Sequence, residues 1–210
     1  MNGSDFTVFV IDDELSVRRG LARLISAAGY PTRMFADSGE FLTAHDPDAP
    51  GCVVVDLAMP EVDGLELQQR LTAAGINRPV IFVTGRGDVP TTVRAMKAGA
   101  IDFLTKPVDA ETLLAAVARA KALDAERRRA REDMESARAL VARLSPRERE
   151  VLTHVVAGRL NKQIAADLGT VEKTIKVHRG RIMRKLGVRT IPDLLRLVGR
   201  AGIGPSASSS

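Results

Sequence analysis

The stretch Cys52-Val53-Val54-Val55-Asp56 decides the fold of the first half of the chain. Its four consecutive apolar residues are typical of a strand buried on both faces, because a half-exposed strand would alternate apolar and polar positions. Similar runs lie at 6–11, 80–83 and 102–105, with a weaker one at 32–35. Helical patterns lie between them, at 15–28, 65–74 and 91–98. Strands that alternate with helices predict a parallel α/β sheet.

Polar side chains follow the four clearest apolar runs, where parallel strands end at one edge of the sheet. They are Asp12 and Asp13, Asp56, Thr84 and Lys106. Ligands of open parallel sheets bind outside the carboxyl ends of the strands. Carboxylates that meet there repel one another unless a cation or protons intervene, and a hard ion such as Mg²⁺, or Mn²⁺ in its place, meets that need. A metal beside a carboxylate nucleophile and an ammonium group indicates phosphoryl transfer.

Each of these residues also has an ordinary structural interpretation. Taken singly, they are explained by helix capping at Asp12 and Asp13, a turn at Asp56, a strand-end hydroxyl at Thr84 and a solvated lysine at Lys106. The coincidence of all of them at four strand ends favours the functional interpretation.

The segments that hold these residues resemble the receiver domain of bacterial two-component response regulators. They are Val10-Ile11-Asp12-Asp13, the stretch from Val54 to Gly64, Phe82-Val83-Thr84-Gly85 and the stretch from Gly99 to Pro107. The resemblance covers about residues 5–121 in unbroken order. It implies a flavodoxin-like sheet of five parallel strands in the order 2-1-3-4-5.

The resemblance also implies roles for the site residues. Asp56 would be phosphorylated by a sensor histidine kinase, while Thr84 and Lys106 would contact the phosphoryl group. Phe103 matches the aromatic residue that moves inward together with Thr84. The Mg²⁺ ligands would be Asp13, Asp56, the backbone carbonyl of Ala58 and, through water, Asp12. Many relatives carry a larger polar residue in place of Ala58, so the lifetime of the phosphoryl group does not follow from the resemblance.

The charge changes sign along the 210 residues. Residues 1–120 carry a net charge of −5, residues 121–143 carry +2 and residues 144–210 carry +8. An acidic part and a basic part predict two domains with different partners, of which the basic one is a candidate for binding nucleic acid. Cys52 is the only cysteine, which excludes an intramolecular disulfide and a cysteine-based zinc site. No apolar run or signal sequence predicts a membrane or secretory location, so we expect a cytoplasmic protein.

A continuous helical pattern runs from Asp109 to about Arg143 between the two parts. Its middle, at 125–133, is strongly charged and has little to bury. A heptad register would place Asp124, Arg127 and Arg131 at core positions. The pattern therefore favours a solvated connecting helix, and a sustained coiled coil is the alternative.

The basic part predicts four helices. Ser145-Pro146-Arg147-Glu148 is a capping box, and the helix that it opens extends to about Ala157. The second helix covers 162–168 with Asn161 as its cap, the third ends at Leu186, and the fourth covers 191–201. A short helix, a turn and a longer basic helix form a helix-turn-helix.

A helical wheel of the third helix separates a core face from a basic face. The core face holds Val171, Ile175, His178, Ile182 and Leu186. The opposite face holds Lys173, Val177, Gly180 and Arg184, flanked by Lys176 and Arg181. Such a basic face fits the major groove, where an exposed valine can contact a thymine methyl group. Close approach to DNA would explain the helix-interior glycine.

Three segments of this part resemble the LuxR-type output domain. They are Leu144 to Leu152, Asn161 to Ala165 and Thr174 to Arg179, and the resemblance covers about residues 140–201. It implies base contacts by Lys176 and Val177, and positions near the DNA backbone for Asn161, Lys162, Thr174, His178, Arg179 and Arg181. The helix from Ile191 would form the DNA-bound dimer interface. Val171 replaces a frequent capping serine, so Thr170 is an alternative cap.

The combination most resembles the FixJ subgroup of response regulators. We expect a receiver at 5–121, a helical linker at 122–143, a LuxR-type domain at 144–202 and a disordered tail at 203–210. Phosphorylation would drive homodimerisation and binding to promoter DNA, with RNA polymerase as a further partner. The protein would catalyse only its own phosphorylation and dephosphorylation. An aspartyl-phosphate phosphatase and a regulator that needs no phosphorylation are the rival interpretations.

Overall fold

The computed structural model describes residues 6–85, 93–95, 97 and 99–203 of the chain. Two predicted features lie partly outside these residues. Of the helix at 91–98, only 93–95 and 97 are described, and they are helical. Of the predicted tail at 203–210, only Ile203 is described.

Five parallel strands form the sheet of the first unit. They are β1 (Thr7–Ile11), β2 (Thr32–Phe35), β3 (Gly51–Asp56), β4 (Val80–Thr84) and β5 (Asp102–Thr105). Their order is β2-β1-β3-β4-β5, which confirms the predicted topology. In the register, Val10 lies opposite Val54 of β3 and Met34 of β2. β3 is central, and each of its residues is buried, as its unbroken apolar run predicts.

Helices cover the two faces of the sheet, with one apolar cluster on each face. They are α1 (Leu15–Ala27), α2 (Ser38–Ala44), α3 (Gly64–Ala73) and the first part of α4 (Ala110–Ala142). Alternate strand residues divide between the clusters, so that Val53 and Val55 face one and Val54 faces the other. α2 was not predicted, although its signal is present. Asp37 accepts a hydrogen bond from the Glu40 amide, and Glu40 accepts one from Ala36.

α4 continues past the predicted receiver limit, and the chain divides into two compact units between Arg128 and Arg129. The charged sequence predicted a solvated helix here, but residues 124–128 are not simply solvated. Asp124 is buried, and Arg127 donates a hydrogen bond to the Asn77 carbonyl at 2.9 Å. These turns of α4 therefore pack with the first unit.

Four helices of the second unit follow α4. They are α5 (Pro146–Val156), α6 (Asn161–Asp167), α7 (Glu172–Leu186) and α8 (Ile191–Arg200). Their core includes Ile164, Ile175 and Val198, together with Val141 from the end of α4. The second unit thus has the predicted all-helical architecture with a helix-turn-helix in α6 and α7. None of the described helices is both long and apolar enough to cross a membrane.

The predicted capping box opens α5 and is tied to α7. The Ser145 hydroxyl accepts a hydrogen bond from the Glu148 amide at 3.3 Å, and Glu148 accepts one from the Ser145 amide at 2.8 Å. Lys185 donates to the same carboxylate at 2.6 Å. The bonds from Lys185 and Ser145 lower the pKa of Glu148 to about 2.

At three helix starts, the structure does not use a cap that the sequence suggested. Glu14, rather than Asp12 or Asp13, precedes α1, and no side chain among the described residues caps that helix. Asn161 is the first residue of α6 and not its cap, because Leu160 occupies the capping position.

Val171 occupies the capping position of α7, where Thr170 was the predicted alternative, and it provides no side-chain bond. Its side chain is 65% exposed, which corrects its assignment to the core. The wheel extended the helical geometry one residue too far, into the extended backbone at Val171.

Candidate metal centre and nucleic-acid interface

The carboxyl edge of the sheet brings together the side chains that the sequence placed at strand ends. Asp12 follows β1, Asp56 and Thr84 are the last residues of β3 and β4, and Lys106 follows β5. Asp12, Asp56 and Thr84 are 0%, 7% and 1% exposed, whereas Asp13 is exposed. The carboxylates of Asp12 and Asp56 are therefore shielded from water, whereas that of Asp13 faces solvent.

The ammonium group of Lys106 joins the two buried carboxylates. Its Nζ lies 2.7 Å from Oδ2 of Asp56 and 2.8 Å from Oδ2 of Asp12. Burial lowers the pKa of Lys106, but the two carboxylates outweigh it, and the net pKa is raised. The pKa of Asp12 is also raised, because burial, with a smaller contribution from nearby Asp56, outweighs the bond to Lys106. The positive charge of Lys106 therefore does not balance the negative charges of the three carboxylates in this cluster.

The acidic cluster fits a divalent cation. Asp12, Asp13 and Asp56 each offer an oxygen, and these oxygens lie within 4.8 Å of one another. Oxygen ligands of high charge suit Mg²⁺, which usually also keeps several waters, and the exposed Asp13 leaves the cluster open to solvent. The backbone amide of Ala58 donates to Oδ1 of Asp56 at 3.2 Å, so the predicted carbonyl ligand belongs to a residue beside the cluster.

The loop after β3 passes so close to Asp56 that it requires a glycine. A Cβ on Gly64 would lie 2.7 Å from the Asp56 carbonyl oxygen and 2.9 Å from the Phe82 ring. The Gly64 amide donates to the Leu57 carbonyl, and Asp63 caps α3 by accepting a bond from Glu66. These contacts fix the backbone on both sides of Ala58.

The predicted switch residues, Thr84 and Phe103, lie on the neighbouring strands β4 and β5. The Lys106 amide donates to the Thr84 carbonyl at 2.7 Å, so the ends of β4 and β5 are joined. Phe103 is partly buried and packs against the cluster that contains Phe82. Beside it, Asp102 forms an ion pair with Arg119.

A second charged cluster lies at the amino edge of the same sheet, and the sequence did not reveal it. Buried Arg78 donates to the carbonyls of Asp46 at 2.7 Å and Ala49 at 3.0 Å, and its guanidinium lies 4.6 Å from the Phe9 ring centre. Asp124 pairs with Arg128 at 3.3 Å. Burial raises the pKa of Asp124, despite the nearby Arg128 and Arg78 and a bond to the Gly51 backbone.

The sequence contained one signal for this second cluster. Val117, Ala120 and Asp124 recur at a helical spacing, and the first two are buried against the sheet. An acid that continues an apolar face predicts a buried partner of opposite charge. Its ion-pair partner is Arg128, one turn further along the same helix, whereas Arg78, which also acts on its charge, lies in a loop 46 residues earlier that nothing local in the sequence connects to Asp124.

The predicted basic face of α7 is exposed. Lys173, Lys176, Val177, Gly180, Arg181 and Arg184 are exposed, and Thr174, His178 and Arg179 are half-buried. A Cβ on Gly180 would meet no atom within 4 Å, so nothing within the described chain demands a glycine there. Val177 is a large apolar side chain that is 47% exposed. Both observations fit a face that another molecule approaches.

Two pairs of side chains organise this face. Nζ of Lys176 lies 3.9 Å from the Glu172 carboxylate, one turn earlier. Nη1 of Arg179 donates to Oδ1 of Asn161 at 2.6 Å, which connects α7 to the start of α6. Lys162 is exposed beside Asn161. Two of the predicted backbone-contacting residues, Asn161 and Arg179, are therefore joined across the helix-turn-helix.

Comparison with known families matches both halves of the chain. Residues 8–118 match the family described as "Response regulator receiver domain". Residues 142–198 match the family described as "Bacterial regulatory proteins, luxR family". The two matches follow the order of the two compact units.

Similar proteins match the chain over nearly its whole length. Transcriptional regulatory protein FixJ from Rhizobium meliloti is 41% identical over 97% of this chain and 100% of its own. Nodulation protein W from Bradyrhizobium diazoefficiens is 42% identical over 93% of this chain and 86% of its own. The solved structure of the response regulator StyR is 46% identical, with a TM-score of 0.80, and the match covers 93% of this chain and 99% of that one.

Proposed function

The chain belongs to the FixJ-like response regulators, which join a receiver to a LuxR-type DNA-binding domain and regulate transcription in response to phosphorylation, and we propose that Asp56 is its phosphoacceptor. The observation that carries this proposal is the shared contact of Lys106 with Asp56 and Asp12 at the carboxyl edge. A receiver domain implies a sensor histidine kinase as phosphoryl donor.

The residues around Asp56 support its role as a nucleophile. A carboxylate oxygen of Asp56 forms a bond to phosphorus, the bond from phosphorus to the kinase histidine breaks, and the histidine nitrogen takes up a proton. Lys106 holds the carboxylate by a bond of 2.7 Å and then neutralises charge on the phosphoryl oxygens. Thr84 ends the neighbouring strand, from which its hydroxyl would donate a hydrogen bond to the phosphoryl group.

Asp12, Asp13, Asp56 and the Ala58 carbonyl are the groups that would hold Mg²⁺ or Mn²⁺. When bound, the ion supplies positive charge that lets a phosphoryl donor approach the acidic cluster. Lys106 holds the carboxylates of Asp12 and Asp56 in position through its contacts with both. Asp13 would provide the ligand that faces solvent.

We propose that Phe103 and Thr84 transmit phosphorylation to the surface. Movement of Thr84 towards the phosphoryl group would open space for partly buried Phe103. The surface beside β5 would then become a pairing face for a second copy, and exposed Arg94 and Lys97 lie in the segment before β5. In the second unit, exposed Leu195 of α8 supports that helix as the dimer contact on DNA.

The DNA contacts are proposed from the exposed face of α7. Lys176 and Val177 would read bases, and Lys173 and Arg184 extend the same face. Residues near the DNA backbone would be Asn161, Lys162, Thr174, His178, Arg179 and Arg181. Promoter DNA is the proposed target, with RNA polymerase as a partner of the bound dimer.

The domain limits and cellular location belong to the same proposal. We propose a receiver at 5–121, a linker at 122–143 whose turns up to residue 128 pack with the receiver, a LuxR-type domain at 144–202 and a tail at 203–210. A cytoplasmic location brings the protein to DNA and to a kinase domain inside the cell. Its only catalysis would be its own phosphorylation and dephosphorylation.

Labelling with a small acyl phosphate tests the phosphoacceptor. The wild type should incorporate acid-stable, alkali-labile phosphate only when Mg²⁺ is present. Asp56→Asn should incorporate none, whereas Asp63→Asn, which alters a helix cap in the next loop, should label normally. Full labelling of Asp56→Asn would refute the assignment.

A further inference from the structure

One side-chain hydrogen bond fixes the start of α6 against the middle of α7. Nη1 of Arg179 donates to Oδ1 of Asn161 at 2.6 Å, and both side chains are half-buried. A guanidinium group donates hydrogen bonds and accepts none. The atom of Asn161 that faces Arg179 is therefore its carbonyl oxygen, and the amide orientation is determined.

This orientation leaves the Asn161 amide nitrogen on the side away from Arg179. No residue that the structure describes accepts a hydrogen bond from Nδ2 of Asn161. DNA phosphate oxygens accept hydrogen bonds and donate none. An Asn161 side chain held in this way presents the complementary donor, and exposed Lys162 beside it attracts a phosphate.

We propose that Arg179 is a positioning residue, which holds the Asn161 amide so that Nδ2 donates to a DNA phosphate. The inference rests on the proposed DNA-binding function. Arg179 and Arg181 then have different roles, although they lie two residues apart on α7. Arg181 is exposed and contacts no carboxylate among the described residues. In this account Arg181 neutralises a phosphate directly, whereas Arg179 acts through Asn161.

The salt dependence of DNA affinity distinguishes these two roles. A cation that neutralises a phosphate releases counterions, so its loss reduces the slope of log K against log salt by about 0.9. Full-length variants are titrated with a fluorescent duplex of random sequence, because phosphate contacts do not depend on sequence. Arg181→Met should reduce the slope by about 0.9. Arg179→Met should weaken binding about three- to tenfold and leave the slope unchanged.

Asn161→Asp gives a second and independent test. The new carboxylate can keep one oxygen on Arg179, so the thermal midpoint should not fall. Its other oxygen replaces the donor and repels the phosphate, so we expect at least a tenfold loss of affinity. Asn161→Ala should weaken binding about as much as Arg179→Met, and the double variant should be scarcely weaker than either.

Three results would overturn the proposal. They are a slope reduced by about 0.9 in Arg179→Met, wild-type affinity in Asn161→Asp, and additive losses in the double variant. If neither the wild type nor any variant bound duplex DNA, the proposed DNA-binding function would fail instead. If Arg179→Met did not fold, Asn161→Asp would still decide, because it preserves the bond between the helices.

Discussion

Each edge of the receiver sheet buries a cluster of charged side chains, and the two clusters differ in their balance of acidic and basic groups. At the carboxyl edge, the carboxylates of Asp12 and Asp56 both contact the ammonium group of Lys106, and Arg18 donates a hydrogen bond to the Asp12 carbonyl. At the amino edge, Asp124 lies with two cations, Arg78 and Arg128, and Asp46 also acts on the charge of Arg78. The central strand β3 links them, because Asp56 is its last residue and Gly51, its first, bonds to Asp124.

The composition of each cluster indicates what it can do. Excess acid at the carboxyl edge is relieved only by a cation or a proton, so that cluster is poised to bind a ligand. At the amino edge, Nη2 of Arg78 donates to the carbonyls of both Asp46 and Ala49 within the chain. The carboxyl edge therefore gathers acidic oxygens that a cation from outside the chain can bind, whereas the amino edge directs a buried guanidinium to carbonyls of the chain itself.

The largest expected difference is in stability. Asp124→Ala leaves Arg128 without its ion-pair partner and buried Arg78 with less nearby negative charge, and it should lower the free energy of unfolding by about 3 kcal/mol. Asp56→Asn removes one of two like charges and should change it by less than about 1 kcal/mol. Denaturant titrations measure both, with the exposed Glu126→Ala as control. Equal losses at the two edges would show that both clusters are structural.

Magnesium should stabilise the folded protein through the carboxyl edge of the sheet and not through the amino edge. Bound to the folded state alone, Mg²⁺ at about 100 times its dissociation constant should stabilise the wild type by about 2.7 kcal/mol. Asp124→Asn should retain this increment, and Asp13→Asn should lose most of it. Thermal unfolding with and without Mg²⁺ provides the measurement. An increment that survives in Asp13→Asn would place the ion elsewhere.

A smaller difference is expected at alkaline pH. The folded-state pKa of Lys106 is raised, so its contribution to stability is complete below about 10.4 and is lost as the pH rises through the folded value. The stability difference between wild type and Lys106→Met should stay constant up to about pH 9 and shrink above about 10.4. The exposed Lys162→Met should show no such dependence. A difference that is constant up to pH 12 would contradict the contact.

The sequence predicted the carboxyl edge and missed the amino edge for a physical reason. Parallel strands bring their ends together, so a polar residue after each apolar run locates a common site without knowledge of the loops. The amino-edge cluster depends on how the loop with Arg78 meets a helix that begins 32 residues later. The helix starts were missed for a related reason: the wheel at Val171 and the capping residue type of Asn161 do not show where helical backbone begins.

The central claim is that phosphorylation of Asp56 controls assembly of the DNA-binding protein. Sedimentation velocity of the full-length chain, with and without a phosphoryl mimic in the presence of Mg²⁺, tests it most directly. The wild type should dimerise at least tenfold more tightly with the mimic, and Asp56→Asn should show the same weak association in both conditions. Equal dimerisation of the wild type with and without the mimic would contradict the account.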